Sequence, residues 1–511
     1  MFTAKKLQSI CRGDLDIELI SKINYFTYQP LLPEVAAGTL NPQDAVTPLR
    51  NLLKGVHVRL AEVTGIDLQA KQVLLLQGQK KILQRLDYDH LVIATGQVAN
   101  LSLFPGFEHH SLTMKDLSDA YRLRNHVIEC MEMADVTKFA EIKQRALTFV
   151  VAGGGFSGVE TIGELAEMIA RILPQYPNIA RHEVRMVLIQ HNERVLPEMP
   201  ERLSDYALRQ LEKIGVEVWL NTGIQSATQQ AVYTSNDRSL PTRTIVTTIG
   251  NSPSEFVRSL PIELQRGCIP VSAELEVIGL ENVWSIGDAA LVPLPTATAE
   301  PVYAPPTAQF AAHEAEILAQ NIVNRARGQR LHTFSYKAAG SMASLGGYRG
   351  VAEIFGWRVT GLPAWLIWRA AYIGMLPGLA TRLRVGLDWL FDYFMPRTIV
   401  YMAESDRPAT RYLNFRKGEV VQYANEVPAG FYIVVSGCLE QQLDESDGEH
   451  LLRELRVGDS WGSRALKERR LTQGKITALE DSKLLLVKSD DFQRLRNSYE
   501  PLNKLLTADD R

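Results

Sequence analysis

Three glycines, Gly153, Gly155 and Gly158, stand in the run LTFVVAGGGFSGVE, where an apolar stretch ends and a helical pattern begins. Spacing of this kind serves the binding of a dinucleotide pyrophosphate. Gly153 makes a tight turn, Gly155 lets backbone N–H groups approach the phosphates, and Gly158 lets the helix lie close to the strand. A GxGxxG alone says little, but a strand before it and a helix after it supply the context that gives it weight. Such sites usually carry Asp or Glu at the end of the following strand, to accept from the ribose hydroxyls. Here VRMVLIQHNERVL puts Gln190 and His191 at that place. Neutral partners can bond the ribose, yet repulsion against a 2′-phosphate is lost, which weakens the bias toward NADH over NADPH. Glu160, two residues beyond Gly158, is read in the first helical turn, where a carboxylate gains from the helix dipole. From spacing alone it either stabilises that turn or serves a bound cofactor.

Two further turns change the reading. LDYDHLVIATG ends a strand in Ala94, Thr95 and Gly96, and ENVWSIGDAA carries Gly287 and Asp288 after a strand. With the glycine loop between them, their order resembles the flavoprotein fold of two dinucleotide-binding domains, an FAD domain interrupted by an NAD(P)H domain. The resemblance implies that the ATG turn passes close to the flavin and that Asp288 lies on its ribityl and phosphate portion. Narrower still, NYFTYQPLLPEVAAGTL, PPTAQFAAHEA, GSMASLGGYRGVAEIFGWRVTG and LPAWLIWRAAYIGMLPGL are similar to type II NADH:quinone oxidoreductases. A disulfide reductase is excluded by the absence of CxxxxC, and the four cysteines do not match the redox trio of a sulfide:quinone reductase.

The resemblance implies bound FAD and NAD(H), with a hydride passing from NADH to flavin and two electrons on to a membrane quinone, without proton pumping. It sets Ala308 and Gln309 beneath the flavin ring at the quinone pocket, and Glu160 near the nicotinamide. His313 stands where relatives often carry a second Gln. No metal is required.

These residues need elements to hold them. Alternating strands and helices indicate an α/β fold with parallel sheets and helices on both faces: a helix at Phe2–Cys11, short buried strands at Ile17–Ile20 and Val92–Ala94, a strand-turn-helix unit over Leu147–Ala170 and a strand at Val184–Ile189. The expected units are two Rossmann-like domains, a membrane-interfacial helical segment and a C-terminal β-roll. FAD binding falls to residues 1–145 and 251–355, NAD(P)H binding to 146–250, the interfacial segment to 356–400, and the β-roll to 406–511. In this fold a first strand with its own glycine loop holds the FAD pyrophosphate. The sequence begins inside the helix that follows, so about fifteen residues of strand and turn are absent. Ser21 and Lys22 stand where an acidic ribose acceptor is usual. The expectation is a start written too late. The alternative is a flavin-poor regulatory or sensor protein that binds NAD(H) and signals through its C-terminal domain.

Composition narrows the partners. With 46% hydrophobic and 22% charged residues over 511, neither disorder nor a polytopic membrane protein is favoured. A net charge of −3 gives no pull toward nucleic acid. Four scattered cysteines read as free thiols, and the N-terminus lacks the apolar stretch of a signal peptide. From Leu362 to Phe394, Trp, Leu and Tyr alternate with Arg369, Arg382 and Arg384. That pattern suits an amphipathic segment lying on a lipid surface, with an aromatic helix closing the core as the competing reading. A peripheral homodimer on the cytoplasmic side of the cell membrane is expected.

The remainder, marked by Gly418-Glu419, FYIVVSG, Gly458-Asp459 and Glu480-Asp481, resembles a cyclic-nucleotide-binding domain. Such domains pair a Glu with the ribose hydroxyl and an Arg with the cyclic phosphate. This sequence has Ser463 for the Glu and Thr472 near the Arg position, with Arg464, Arg469 and Arg470 close by. A protein-contact or oligomerisation role is expected in place of a cyclic nucleotide.

Overall fold

A computed structural model describes residues 1–11, 13–78, 81–296, 301–401, 410–424, 429–444, 450–462, 474–489 and 491–492. Helix α1 (Phe2–Cys11) buries Thr3, Ala4, Leu7 and Cys11, the stripe an amphipathic helix turns to a core. Strand β1 (Glu18–Ser21) is half-buried along its length, where burial was expected, and among the described residues pairs, in parallel, with β2 alone. The short helix α2 (Leu32–Ala36) is wholly buried, Glu34 included. Strand β2 (His57–Asp67) continues into an antiparallel meander with β3 (Gln72–Gln77) and β4 (Ile82–Asp87). Strand β5 (Leu91–Ile93) ends at the ATG turn, and β6 (Gln97–Ala99) leaves it.

After the short helix α3 (Phe107–His110), strand β7 (Leu112–Thr113) joins the second sheet although it lies within the stretch read as the first domain. Helix α4 (Leu117–Val136) starts on a capping box, in which the side chains of Asp116 and Asp119 each accept from the other's backbone N–H. Strand β8 (Thr148–Ala152) is buried at every residue, as a parallel strand covered on both faces must be. Helix α5 (Phe156–Ile172) gives way to a single tighter turn at Leu173–Gln175, whose Pro174 has no N–H to continue the helical ladder. Strands β9 (Arg185–Ile189) and β10 (Val216–Trp219) follow. An antiparallel triplet, β11 (Ile224–Ala227), β12 (Ala231–Thr234) and β13 (Ser239–Pro241), precedes β14 (Thr244–Thr247). The parallel sheet runs β10-β9-β8-β14-β7.

Strand β15 (Asn251–Pro253) pairs antiparallel with β6, so the chain crosses between the two halves as a ribbon. Strand β16 (Val283–Ser285) returns to lie parallel beside β5. The Pro-rich segment after it includes a short antiparallel pairing of Pro293–Leu294 with Val302–Tyr303. Helix α6 (Ala308–Ala326) packs on α1. A hairpin sheet of β17 (Gly340–Ser344), β18 (Gly350–Ile354) and β19 (Trp357–Thr360) leads into α7 (Leu362–Met375). Pro377 and Gly378, at φ +91°, separate α7 from α8 (Leu379–Phe394). No helix among the described residues is long and apolar enough to cross a membrane.

The C-terminal unit has two four-stranded antiparallel sheets closed on Leu413, Phe415, Val434, Leu439, Ile476 and Leu484, the expected β-roll. Its first strand, β20 (Thr410–Phe415), and the turn after it lie against β11, β12 and α3. Asn414 O accepts from Gln229 N at 3.1 Å, and Asn414 N donates to His110 Nε2 at 3.1 Å. Glu419 accepts from Thr228 Oγ1 and Tyr233 OH, each at 2.8 Å, while the Arg416 guanidinium lies 3.6 Å from the Tyr233 ring centre. The helix expected from Asp490 onward, and Ser463, Arg464, Arg469, Arg470 and Thr472, fall outside the described residues, save Asp491 and Phe492.

Candidate functional site

The glycine loop joins β8 to α5, and each glycine has its own reason. Gly153 has φ +111°, and a Cβ there would meet Thr248 Oγ1 and Ile249 Cγ2 at 2.6 Å. A Cβ on Gly158 would fall well inside contact distance of Gly153 O, so helix and strand approach as closely as backbone allows. Gly155, the N-cap of α5, faces open space: a Cβ there meets nothing within 4 Å. That side of the helix N-terminus is free for an anion. Gln190, at the end of β9, is buried, and its amide is already engaged: Oε1 accepts from Gly154 N at 2.9 Å and Nε2 donates to Arg194 O at 3.1 Å. It braces the loop, while His191, Asn192, Glu193 and Asn221 line the open cleft beside it. Glu193 is an acid the sequence reading passed over because it lies beyond the strand end.

The ATG and Gly-Asp turns meet because β5 and β16 pair in register, Ile93 opposite Ser285. Ser285 Oγ and Ile286 N both donate to Ile93 O. Gly96 and Gly287 have φ of +64° and +66°, a left-handed conformation that only glycine adopts without strain. A Cβ on Gly96 would meet nothing within 4 Å, and Thr95 is exposed beside it. The first two turns of α6 lie against the second turn, where Gly287 N donates to Glu314 Oε2 at 2.7 Å and Ala311 faces Gly287. Burial holds the Asp288 carboxyl above the usual range, with Lys115 opposing. A desolvated carboxylate beside two left-handed glycine turns, the first of them bordering open space, fits the hydroxyls and flat ring of a flavin.

Ala308 opens α6, exposed, beyond the Thr307 cap. Gln309 is half-buried: its Nε2 donates to Gly340 O at 3.2 Å and its Oε1 accepts from Tyr336 OH at 3.3 Å. His313 stacks on Tyr336 at 3.9 Å between ring centres.

Glu160 lies elsewhere. α5 begins at Phe156, so Glu160 sits past the first turn, and its side chain points inward rather than toward the helix end. Its Oε1 accepts from Ser344 N at 3.1 Å and Trp368 Nε1 at 3.0 Å. Burial pushes its carboxyl up to about 8, against those two donors and with help from the charges of Glu164 and Glu34. Strand β17 connects the two places, with Gly340 held by Gln309 and Ser344 held by Glu160, roughly 13 Å apart at the strand rise. The structure therefore pairs the Thr95–Gly96 and Gly287–Asp288 turns, sets the first turns of α6, which begins at Ala308 and Gln309, against the second of them, and holds Glu160 at the opposite end of the same β17 edge.

Around Glu160 is a cluster the sequence reading missed. Glu34 and Glu164 are buried, and burial raises both carboxyls. Arg369 reaches Glu34 at 3.5 Å from between the rings of Trp365 and Trp389, 4.1 and 4.4 Å from their centres. Trp389 Nε1 donates to Glu34 Oε2 at 2.8 Å. The tail tryptophans Trp365, Trp368 and Trp389, read as interfacial, thus turn inward, because their N–H groups or faces satisfy polar and charged groups buried away from water.

Residues 2–315 match the family model described as pyridine nucleotide-disulphide oxidoreductase, residues 339–398 that of the NDH2 C-terminal domain, and residues 412–499 that of the cyclic nucleotide-binding domain. A type II NADH:quinone oxidoreductase of Mycobacterium tuberculosis is 31% identical over 413 residues, 77% of this chain and 86% of that protein. One from Staphylococcus aureus is 30% identical over 368 residues, 71% and 89% of the two chains. Among solved structures, NDH2 from Plasmodium falciparum in complex with NADH superposes with a TM-score of 0.73 at 21% identity, over 78% of this chain and 97% of that one. The sulfide:quinone oxidoreductase of Aquifex aeolicus gives 0.59 at 18% identity, over 77% and 92%.

Proposed function

We propose, from the premise that the chain belongs to the type II NADH:quinone oxidoreductases, that its two glycine-turn sites and the Gln309 amide are the working parts of that reaction. The enzyme transfers a hydride from NADH and two electrons onward to a membrane quinone, without proton pumping. FAD, when bound, supplies the group that accepts a hydride on one side and yields electrons on the other. The observation that carries the reading is that strand pairing sets the ATG turn beside the Gly-Asp turn, with the first turns of α6 packed on the latter and open space beside Gly96.

In this reading Gly153, Gly155 and Gly158 seat the NADH pyrophosphate on the α5 N-terminus, with Gln190 bracing the loop from beneath. Asp288 accepts from ribityl hydroxyls, and Thr95 and Gly96 border the ring. Ala308 leaves the ring face uncovered, and the Gln309 amide orients a quinone carbonyl by exchanging its bond to Gly340. Reduction of a quinone by NADH needs one proton beyond the hydride. Tyr336 and the exposed His313 put a phenol and an imidazole beside the Gln309 amide, on the side open to solvent. Glu160, held at Ser344 roughly 13 Å along β17 from the Gly340 that Gln309 holds, serves the nicotinamide side, where a buried carboxyl holds its proton near neutrality.

The segment from residue 356 to 400 is the proposed membrane contact. Leu379, Leu383, Leu387, Leu390, Phe391 and Phe394 are all exposed and recur at helical spacing, forming one apolar face of α8. Arg382 and Arg384 beside them suit anionic headgroups. The peripheral, cytoplasmic-side homodimer follows from the resemblance, and light scattering checks its mass. For the C-terminal domain the contacts of Glu419 and Asn414 support a role in binding the chain's own NADH half, and Ser463 and Thr472 argue against a cyclic nucleotide. Micromolar binding of cAMP or cGMP in a calorimeter overturns that.

The decisive experiment is spectroscopic. Purified protein should carry yellow flavin that bleaches on anaerobic NADH and recolours with a short-chain quinone. Colourless protein that binds NAD(H) overturns the enzyme reading for this chain and favours the sensor.

A further inference from the structure

One hairpin turn is made of residues that suit neither the turn nor the core. Strands β18 and β19 are joined by Phe355 and Gly356 alone, at φ +49° and +84°, the left-handed pair of a type I′ connection. Asn, Asp or Gly is favoured at the first of these positions, and a bulky side chain there is an outlier. Packing does not repay the strain. Phe355 is 82% exposed and Trp357, the residue after the turn, 79%. Two large rings that stabilise nothing within the chain point to a use outside it.

Their position says which use. Phe355 N donates to Ala339 O at 3.1 Å, Gly340 pairs with Ile354, and Gly340 O accepts from Gln309 Nε2. The rings therefore rise from the strand end that Gln309 grips. The far end of the same hairpin runs directly into α7 and then α8, with its exposed apolar face.

We propose that the Phe355–Gly356–Trp357 turn is a lipid-inserting wedge that seats the mouth of the quinone site in the bilayer. The proposal rests on the reading of Gln309 as part of that site. A quinone with a hydrocarbon tail reaches such a mouth without crossing water. Phe355 enters the acyl region, Trp357 sits at headgroup depth, and the exposed Arg358 guanidinium meets lipid phosphate. A bilayer fits better than a second copy of the chain because the acceptor itself is lipid-borne and because α8 exposes its apolar face on the same chain.

The test uses the full-length enzyme with Phe355→Asn and Trp357→Thr. Asn suits the left-handed position, so the melting temperature should hold or rise, which removes misfolding as an explanation. Turnover with a short-chain, water-soluble quinone should be unchanged. kcat/KM for a long-chain quinone in vesicles should fall about tenfold, the scale of one large apolar side chain lost from lipid. The emission of Trp357, isolated as wild type minus Trp357→Phe, should be quenched by lipids brominated on the acyl chains. Equal losses on both quinones, no loss on either, or unquenched Trp357 emission each overturn the wedge. So does a change of oligomer mass in the double variant without quenching, which makes the turn a contact between copies. If Gln309→Ala reduces both quinones normally while Trp357 is still quenched, the reading of Gln309 fails and the lipid contact survives.

Discussion

Glu160→Gln separates the buried carboxyl's charge from its shape. Gln keeps an oxygen to accept from Ser344 N and Trp368 Nε1, and its NH2 takes the place of the protonated Oε2. Burial raises the Glu160 carboxyl from 4.5 to about 8, so the folded protein keeps a proton that the unfolded chain has released. The stability contributed by this group is therefore full below 4.5 and is lost as pH rises through about 8. A rise of that size corresponds to about 5 kcal/mol between the two protonation states. Water entering on ionisation returns part of it, so the variant should gain about 3 kcal/mol over wild type near about pH 9 and under about 1 kcal/mol near about pH 5. The assay is the difference in melting midpoint, variant minus wild type, measured across that range. A difference that does not vary with pH refutes the argument, since it would mean that Glu160 is ionised in the fold throughout.

The glycine loop gives a paired prediction. Gly158→Ala collides with Gly153 O and should cost about 3 kcal/mol or more, whereas Gly155→Ala, with nothing within 4 Å, should fold normally and lose NADH affinity. Melting curves and NADH titration check the pair, and equal stability of the two variants counts against the close strand–helix contact. Glu419→Ala removes the acceptor of two side-chain donors from the NADH half and leaves Tyr233 OH without it. It should weaken docking of the C-terminal domain by about 2–3 kcal/mol and enlarge the radius measured by solution scattering. An unchanged radius would mean that Asn414 and Gln229 suffice. Leu383→Glu with Leu387→Glu should abolish co-sedimentation with anionic vesicles while short-chain quinone reduction continues, and retained sedimentation refutes the α8 face as the anchor.

Turns that need glycine were legible in the sequence, and so was what they could bind. Gly153, Gly96 and Gly287 have φ values that exclude most other residues, so their spacing carries geometry directly. The strand leading into the first of them was legible too, since β8 is buried on both faces and reads as an unbroken apolar run. Partners brought in from far along the chain were not. Glu160 looked like a residue of the helix start because its neighbours in sequence are glycines, but its hydrogen bonds come from Ser344 and Trp368, about two hundred residues away. Gln190 was read as facing the ribose, and its amide instead turns back on Gly154. The contacts of the C-terminal domain were hidden for the same reason: Glu419 looked like part of a turn, and its donors lie on another domain.

The tail shows why such distant contacts govern how experiments must be designed. A helix pair rich in Trp and Arg reads as a membrane anchor, and deleting it would be the obvious trial. Yet Trp368 and Trp389 each donate an N–H to a buried carboxyl group, and Arg369 supplies the cation facing Glu34. Deletion would strip Glu160 of Trp368 and Glu34 of both Trp389 and the Arg369 cation, and removing one side of a buried charge pair costs about 3–5 kcal/mol. A truncated enzyme that lost activity would therefore report on the core and not on lipid. The exposed stripe of α8 and the turn at Phe355 can be altered without touching a single one of those partners. For that reason substitution at the surface, and not removal of the tail, is the measurement that separates anchoring from catalysis.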